Sequence, residues 1–175
     1  GLHRRLALAI LSRAGDTPWR VLLAVMTATA LLSSINSNTS TALIMMPMAL
    51  AMLAAGGVQP GETKGIAGAL PMGIAFAANI GGFGTIVGTP TNAIGVGLIE
   101  KSVGVKISFA EWSLYGVPVV LLGVPLAALI IARVQRLRDD RFDPTAARAA
   151  IAGASEWTEP EKRLVPVVAL ALLTL

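Results

Sequence analysis

Two long stretches of this chain contain no Asp, Glu, Lys or Arg: the residues between Arg20 and Glu62, and those between Lys64 and Glu100. Each is apolar at its ends and interrupted in its middle. The first apolar run, from Trp19 to Ala55, is about 37 residues long. One bilayer crossing takes about 20 residues to cover roughly 30 Å, so this run is too long for one crossing and marginal for two. Its centre, Ser33-Ser34-Ile35-Asn36-Ser37-Asn38-Thr39-Ser40-Thr41, is polar at the depth where lipid is most hostile. Such groups persist there only when buried in protein or facing a water-filled cavity. The pattern predicts two short helices, over about 19 to 35 and 40 to 55, meeting at a polar tip as a re-entrant hairpin.

The second window predicts a discontinuous membrane helix over 64–104. An apolar helix up to about Ile80 runs into Gly81-Gly82-Phe83-Gly84-Thr85-Ile86-Val87-Gly88-Thr89-Pro90-Thr91-Asn92, and Ala93 to Ile99 can resume a helix. Three glycines in four residues, then Gly88 and Pro90, weaken a helix where a span should be strongest. Gly84 and Gly88 also form a G-x-x-x-G, which could serve helix packing instead. Segment 108–138 then predicts an interface helix and a crossing over about Leu114 to Ile131, with Pro118 and Pro125 as kinks. Glu111, Trp112 and Tyr115 fit an external interface, and the Met45 and Met46 pair fits packing. Residues 1–18 read as a surface helix, 139–163 as a loop with some surface helix, and 164–175 as the start of another span.

Composition places the whole in lipid. Of the 175 residues, 54% are hydrophobic and 14% charged, with a mean hydropathy of +0.71. Soluble domains carry about 25% charge. The expected class is therefore all-α, a polytopic membrane protein. The net charge of +4 does not point to nucleic acid, because the basic residues lack aromatic neighbours and are parcelled between apolar spans. The absence of cysteine removes disulfides and thiolate chemistry, and His3 alone cannot build a metal centre. Charge also orients the chain. With a hairpin that returns to its own side, Arg4, Arg5, Arg13, Arg20, Lys64 and the seven basic residues from Arg133 to Arg163 share one face, opposite Lys101 and Lys106. The positive-inside rule puts that face, the hairpin mouth and the Arg-rich loop in the cytoplasm, at an inner membrane.

Both interruptions offer the same chemistry. Ser33, Ser37, Asn38 and Thr39 supply hydroxyl and amide oxygens suited to a hard cation such as sodium. The start of the returning helix supplies free N–H groups and a positive dipole end suited to an anion. The second break adds the Gly88 carbonyl, the Thr89 hydroxyl and the N–H groups of Thr91 and Asn92. Secondary transporters place discontinuous helices this way. Because neither window holds Lys or Arg, a bound dianion must be neutralised by co-bound cations and dipoles, so anion transport should require the cation.

The run Leu32 to Ala42, followed by Met45-Met46-Pro47, resembles the first S-N-T signature of the divalent anion:sodium symporters, carriers of dicarboxylates, citrate and sulfate. Ile80-Gly81-Gly82, Gly84-Thr85 and Gly88-Thr89-Pro90-Thr91-Asn92-Ala93-Ile94 resemble the unwound segment of that family's next helix. Arg4-Arg5-Leu6-Ala7-Leu8, with Leu11 and Gly15, is similar to the surface helix before the hairpin. The resemblance covers most of residues 1 to 131. It implies a sodium site of Ser33, Ser37, Asn38 and the Gly88 carbonyl, and a substrate carboxylate touching Ser37, Asn38, Thr39, Thr89 and Pro90. It also implies a homodimer of two inverted repeats, working by an elevator-like shift. This chain carries one S-N-T and therefore reads as one incomplete repeat, a fragment of a longer carrier.

The implied function is secondary active transport of a di- or tricarboxylate coupled to sodium, with no enzymatic activity and no cofactor beyond the coupling ion. The alternatives are a sulfate or other inorganic anion permease of the same fold, an anion exchanger, and a structural membrane protein without a ligand. For each polar element a plainer role stands beside the binding role: Ser and Thr often bond the preceding turn or glue helices, and Thr91 and Asn92 can simply cap a half-helix. A phosphate-cradling enzyme is a further class, disfavoured by the missing Gly-Lys-Ser/Thr ending, the absence of a preceding strand pattern and the lack of an acidic metal ligand nearby.

Overall fold

A computed structural model describes residues 17–139 and 142–152, and among them every regular element is helical. The expected helices within 1–16 and 164–175, and most of the 139–163 loop, lie outside the described residues. Helix α1 (Pro18–Ser33) starts where local chemistry dictates. Thr17, in extended backbone, accepts the N–H of Arg20 at 3.4 Å, and Pro18 occupies the first turn, where its missing N–H costs nothing. Helix α2 (Asn38–Ala55) is capped by Ser37, whose hydroxyl accepts the N–H of Ser40 at 3.3 Å. The turn between them, 34–37, lies two residues earlier than the sequence pattern predicts, because Asn38, Thr39 and Ser40 fit the first turn of a Ser-capped helix.

Helix α3 (Ile66–Gly82) follows, then a single 3-10 turn (Ile86–Gly88) and helix α4 (Pro90–Val103). The break is thus present, but the helix resumes at Pro90 rather than near Ala93, since Thr89 caps it and Pro90 is preset for its first turn,. Gly84 and Gly88 do not share a helix face, so their spacing is not a helix-packing motif here. Helix α5 (Phe109–Val134) joins the expected interface helix and the crossing into one continuous helix. A reciprocal capping box sets its start: Glu111 N–H donates to the Ser108 hydroxyl at 3.2 Å, and Ser108 N–H donates to the Glu111 carboxylate at 2.7 Å,. Pro118 and Pro125 both sit inside this continuous helix.

Helix α3 is the centre of the packing, touching α1, α2 and α5, with α1 its most extensive partner. Glycine makes the closest part of that contact possible. A methyl at Gly81 would stand 2.3 Å from the carbonyl oxygen of Ala30, so the α1 and α3 backbones touch. Lengths differ in a way that matters in a bilayer. At about 1.5 Å per residue, the 16 residues of α1 reach about 24 Å, short of a roughly 30 Å core. The 26 residues of α5 reach about 39 Å. Helices α2 and α5 are long and apolar enough to cross a membrane. One narrow stripe of α5 is buried, Gly116, Val124, Ala128 and Ile131, while Leu121, Leu122, Leu126 and Ile130 are exposed. A surface this apolar demands lipid or protein against it.

After a second 3-10 turn (Leu137–Asp139), helix α6 (Pro144–Ala152) folds back on α2. Asp143 caps it, its carboxylate accepting from Thr145 N–H at 2.9 Å and Ala146 N–H at 3.2 Å. Asp143-Pro144 thus starts a helix within the stretch that the sequence reads as a loop with some surface helix. The buried ring of Phe142 covers Gly56, leaving no room for a side chain there. Phe142→Ala should therefore free α6 from α2 at a cost of about 3 kcal/mol. Thermal unfolding of the purified full-length protein in detergent measures it, and an unchanged melting temperature would refute the docking.

Candidate functional site

The two interruptions meet. Helix α1 ends at Ser33 and α3 at Gly82, which brings two carbonyl ends together, while α2 and α4 begin beside them with two N–H ends. The meeting point is Gly82. A methyl on it would lie 2.5 Å from Asn38 Oδ1 and 2.6 Å from Thr89 Cγ2, so the first residue of α2 and the cap of α4 come together over this glycine. Gly88 is equally close on the other side, since a methyl there would stand 2.4 Å from the Gly82 carbonyl oxygen. Both contacts require a residue without a side chain.

Hydrogen bonds tie the turn at 34–37 to the end of α3 across more than forty residues of sequence. Ser33, fully buried, has its hydroxyl 2.8 Å from Asn38 Oδ1 and 2.7 Å from the Ala78 carbonyl. Asn38 Nδ2 donates to Asn79 Oδ1 at 3.1 Å, which leaves Asn38 Oδ1 turned toward Ser33. The Ser34 hydroxyl faces two carbonyls, Ala30 and Gly81, each at 2.9 Å. Thr85 hydroxyl donates to the Ser34 carbonyl. A serine hydroxyl carries one proton, so Ser33 can donate to only one of Asn38 Oδ1 and the Ala78 carbonyl at a time, whereas the Ala30 and Gly81 carbonyls beside Ser34 also accept the N–H groups of Ser34 at 3.0 Å and Gly84 at 2.9 Å. At Ser33 two oxygens compete for one hydroxyl proton, and a cation could satisfy the one left over.

The other sequence-predicted residues lie around this cluster. Ser37 is half-buried, donating to Ser40 Oγ at 2.8 Å while it caps α2. Thr39 is exposed in the first turn of α2. Thr89 is half-buried, its hydroxyl accepting Asn92 N–H at 3.3 Å, and Pro90 beside it is exposed. Gly88 is buried in the 3-10 turn. Ser33, Asn38, Gly88 and Thr89 are brought together through direct contact or through Gly82, whereas Ser37, Thr39 and Pro90 stand next to them along the chain.

Three residues hold this geometry that sequence reasoning did not select for it. Asn79 orients the Asn38 amide. Asn92, read as a cap, spends its side chain on the Gly82 and Thr85 carbonyls instead, at 2.8 Å each. Trp112, read as an interface anchor, donates its indole N–H to the Phe83 carbonyl at 3.0 Å and ties α5 to the break. The carbonyls that an ended helix leaves unpaired were the available signal, but no periodicity says which side chain reaches them.

The described residues contain no cluster of His, Cys, Asp and Glu able to hold a metal ion. A cation here would rest on neutral oxygens, a donor set that suits sodium.

Comparison with known proteins gives a consistent picture. The citrate transporter family matches the chain over residues 1–175. A sodium-dependent dicarboxylate transporter, SdcS, of Staphylococcus saprophyticus subsp. saprophyticus is 39% identical over 127 residues, 69% of this chain and 24% of that protein. SdcS of Staphylococcus aureus (strain USA300) is 38% identical over 149 residues, 82% of this chain and 29% of that protein. The chain spans about a quarter of the length of these relatives.

Proposed function

This chain belongs to the citrate transporter family, within the divalent anion:sodium symporters, and from that footing we propose that it builds a joint site for sodium and a di- or tricarboxylate in a secondary active transporter. The observation that carries this is the meeting of two broken segments over Gly82, which gathers two helix N-termini and a group of neutral oxygens. In this reading Ser33, Ser37, Asn38 and the Gly88 carbonyl hold sodium. Ser37, Asn38, Thr39, Thr89 and Pro90 meet the substrate carboxylate, whose charge is balanced by the bound ion and the positive ends of α2 and α4.

The shortness of α1 and the uncharged turn after it support a re-entrant hairpin whose mouth, with the Arg-rich loop, faces the cytoplasm. An elevator-type, homodimeric carrier in the cell membrane is what the family resemblance implies for the whole protein. The sodium dependence of the dicarboxylate transporters this chain resembles agrees with a site that has no Lys or Arg of its own.

The reading makes a direct prediction. Full-length protein in proteoliposomes takes up radiolabelled succinate or citrate under an inward sodium gradient, and replacing sodium with choline abolishes the uptake. Uptake of the same rate in choline would defeat it.

A further inference from the structure

Asn92 lies inside the break rather than at its open edge. It is 5% exposed, and both hydrogens of its amide are used, on the Gly82 and Thr85 carbonyls at 2.8 Å each. Its backbone N–H meets the Thr89 carbonyl at 3.2 Å and hydroxyl at 3.3 Å. One residue therefore fastens the last carbonyl of α3, the middle of the link, and the cap of α4. The capping itself is done by the Thr89 hydroxyl, which leaves the Asn92 side chain free for this second task. Two donors on one short side chain are what a pair of carbonyls 2.8 Å away requires. Asp has the same shape but no such donors when ionised, and Ala has none.

We infer that Asn92 is a positioning residue for the sodium site, an inference that rests on the function proposed above. It does not touch the ion. By drawing the Gly82 and Thr85 carbonyls inward, it closes the link 83–88 so that Gly88 stays packed against Gly82, beside Asn38 Oδ1. Without the amide, the buried Gly82 carbonyl loses its side-chain donor and the Thr85 carbonyl keeps only the Gly88 N–H at 3.3 Å, the link opens, and the Gly88 carbonyl leaves its place.

The test compares wild type, N92A and N92D full-length protein in proteoliposomes, measuring uptake against sodium concentration at several pH values, each normalised to wild type. N92A should raise the sodium half-saturation about tenfold, the scale of two lost hydrogen bonds, with a smaller change in substrate half-saturation at saturating sodium. In N92D an ionised carboxylate would face two carbonyls with no hydrogen to offer either. On acidification it gains one O–H donor, and its sodium half-saturation should return part of the way toward wild type while that of N92A stays flat. A residue needed only for folding would produce no such pH-dependent recovery. The inference is overturned if N92A keeps the wild-type sodium half-saturation, or if N92D shows no recovery on acidification. N92D carries the test alone if N92A does not fold. Wild-type uptake indifferent to sodium would bring down the proposed function and this inference together, whereas a sodium-dependent wild type beside an unshifted N92A overturns the inference alone.

Discussion

Gly82→Ala should abolish sodium-coupled uptake, leaving less than about 1% of the wild-type rate, because the methyl has nowhere to go. It would lie 2.5 Å from Asn38 Oδ1 and 2.6 Å from Thr89 Cγ2. Neither atom is the loose end of a flexible chain. Asn38 is held by Ser33 and Asn79, and Thr89 caps α4, so relief comes only by moving the starts of α2 and α4 apart. Overpacking of this kind costs about 1–3 kcal/mol in stability, which an 18-glycine chain of packed helices can survive. A binding constellation tolerates only about 0.5 Å of displacement, so function fails well before the fold does. Gly88→Ala should behave alike, with the Gly82 carbonyl 2.4 Å from the new methyl. Gly95→Ala is the control: it lies in α4 with nothing within 4 Å of its added carbon. That change should leave uptake intact and add helix stability on the order of 1 kcal/mol. Initial uptake rates and detergent melting temperatures separate the cases. A Gly82→Ala protein that transports normally would mean that the two breaks do not form the site.

The second large effect concerns Asn38. Asn38→Ala removes the amide oxygen nearest Ser33 and the donor to Asn79, and it should raise the sodium half-saturation about a hundredfold, as expected when one of a few buried polar ligands is lost. Asn38→Asp separates two jobs. It keeps an oxygen in place but adds a negative charge to a window that contains none from Val21 to Gly61. Coulomb attraction then favours the cation and opposes the anion. The sodium half-saturation should hold or fall while that for a dicarboxylate rises steeply. Uptake kinetics with sodium and substrate varied in turn measure both constants. If the two constants move in the same direction in Asn38→Asp, Asn38 does not stand between ion and anion.

Much of this architecture is legible one residue at a time. The cap-and-proline pairs Thr17-Pro18 and Thr89-Pro90 mark helix starts by local chemistry alone, as does Ser37 before Asn38. Asp143-Pro144 carries the same signal, and so does the Ser108 to Glu111 capping box, each fixing a start that the later apolar pattern leaves open. Hydropathy gives a poor boundary wherever a polar turn is already helical. The same bias placed the restart of the broken helix at Ala93 rather than Pro90.

From its order of residues alone, this chain determines two uncharged, interrupted apolar windows, the neutral oxygen chemistry within them and the starts of most helices, because capping, proline and hydropathy act over four or five neighbours. Tertiary structure alone decided that Asn38 and Thr89 meet over Gly82, that Ser33 reaches Ala78, and that Asn92 and Trp112 serve carbonyls rather than a cap or an interface. Those pairings depend on how α1, α3 and α5 cross and on the rotation of each about its axis. Such quantities are set by backbone contact at a few glycines, and no periodicity along a single helix encodes them.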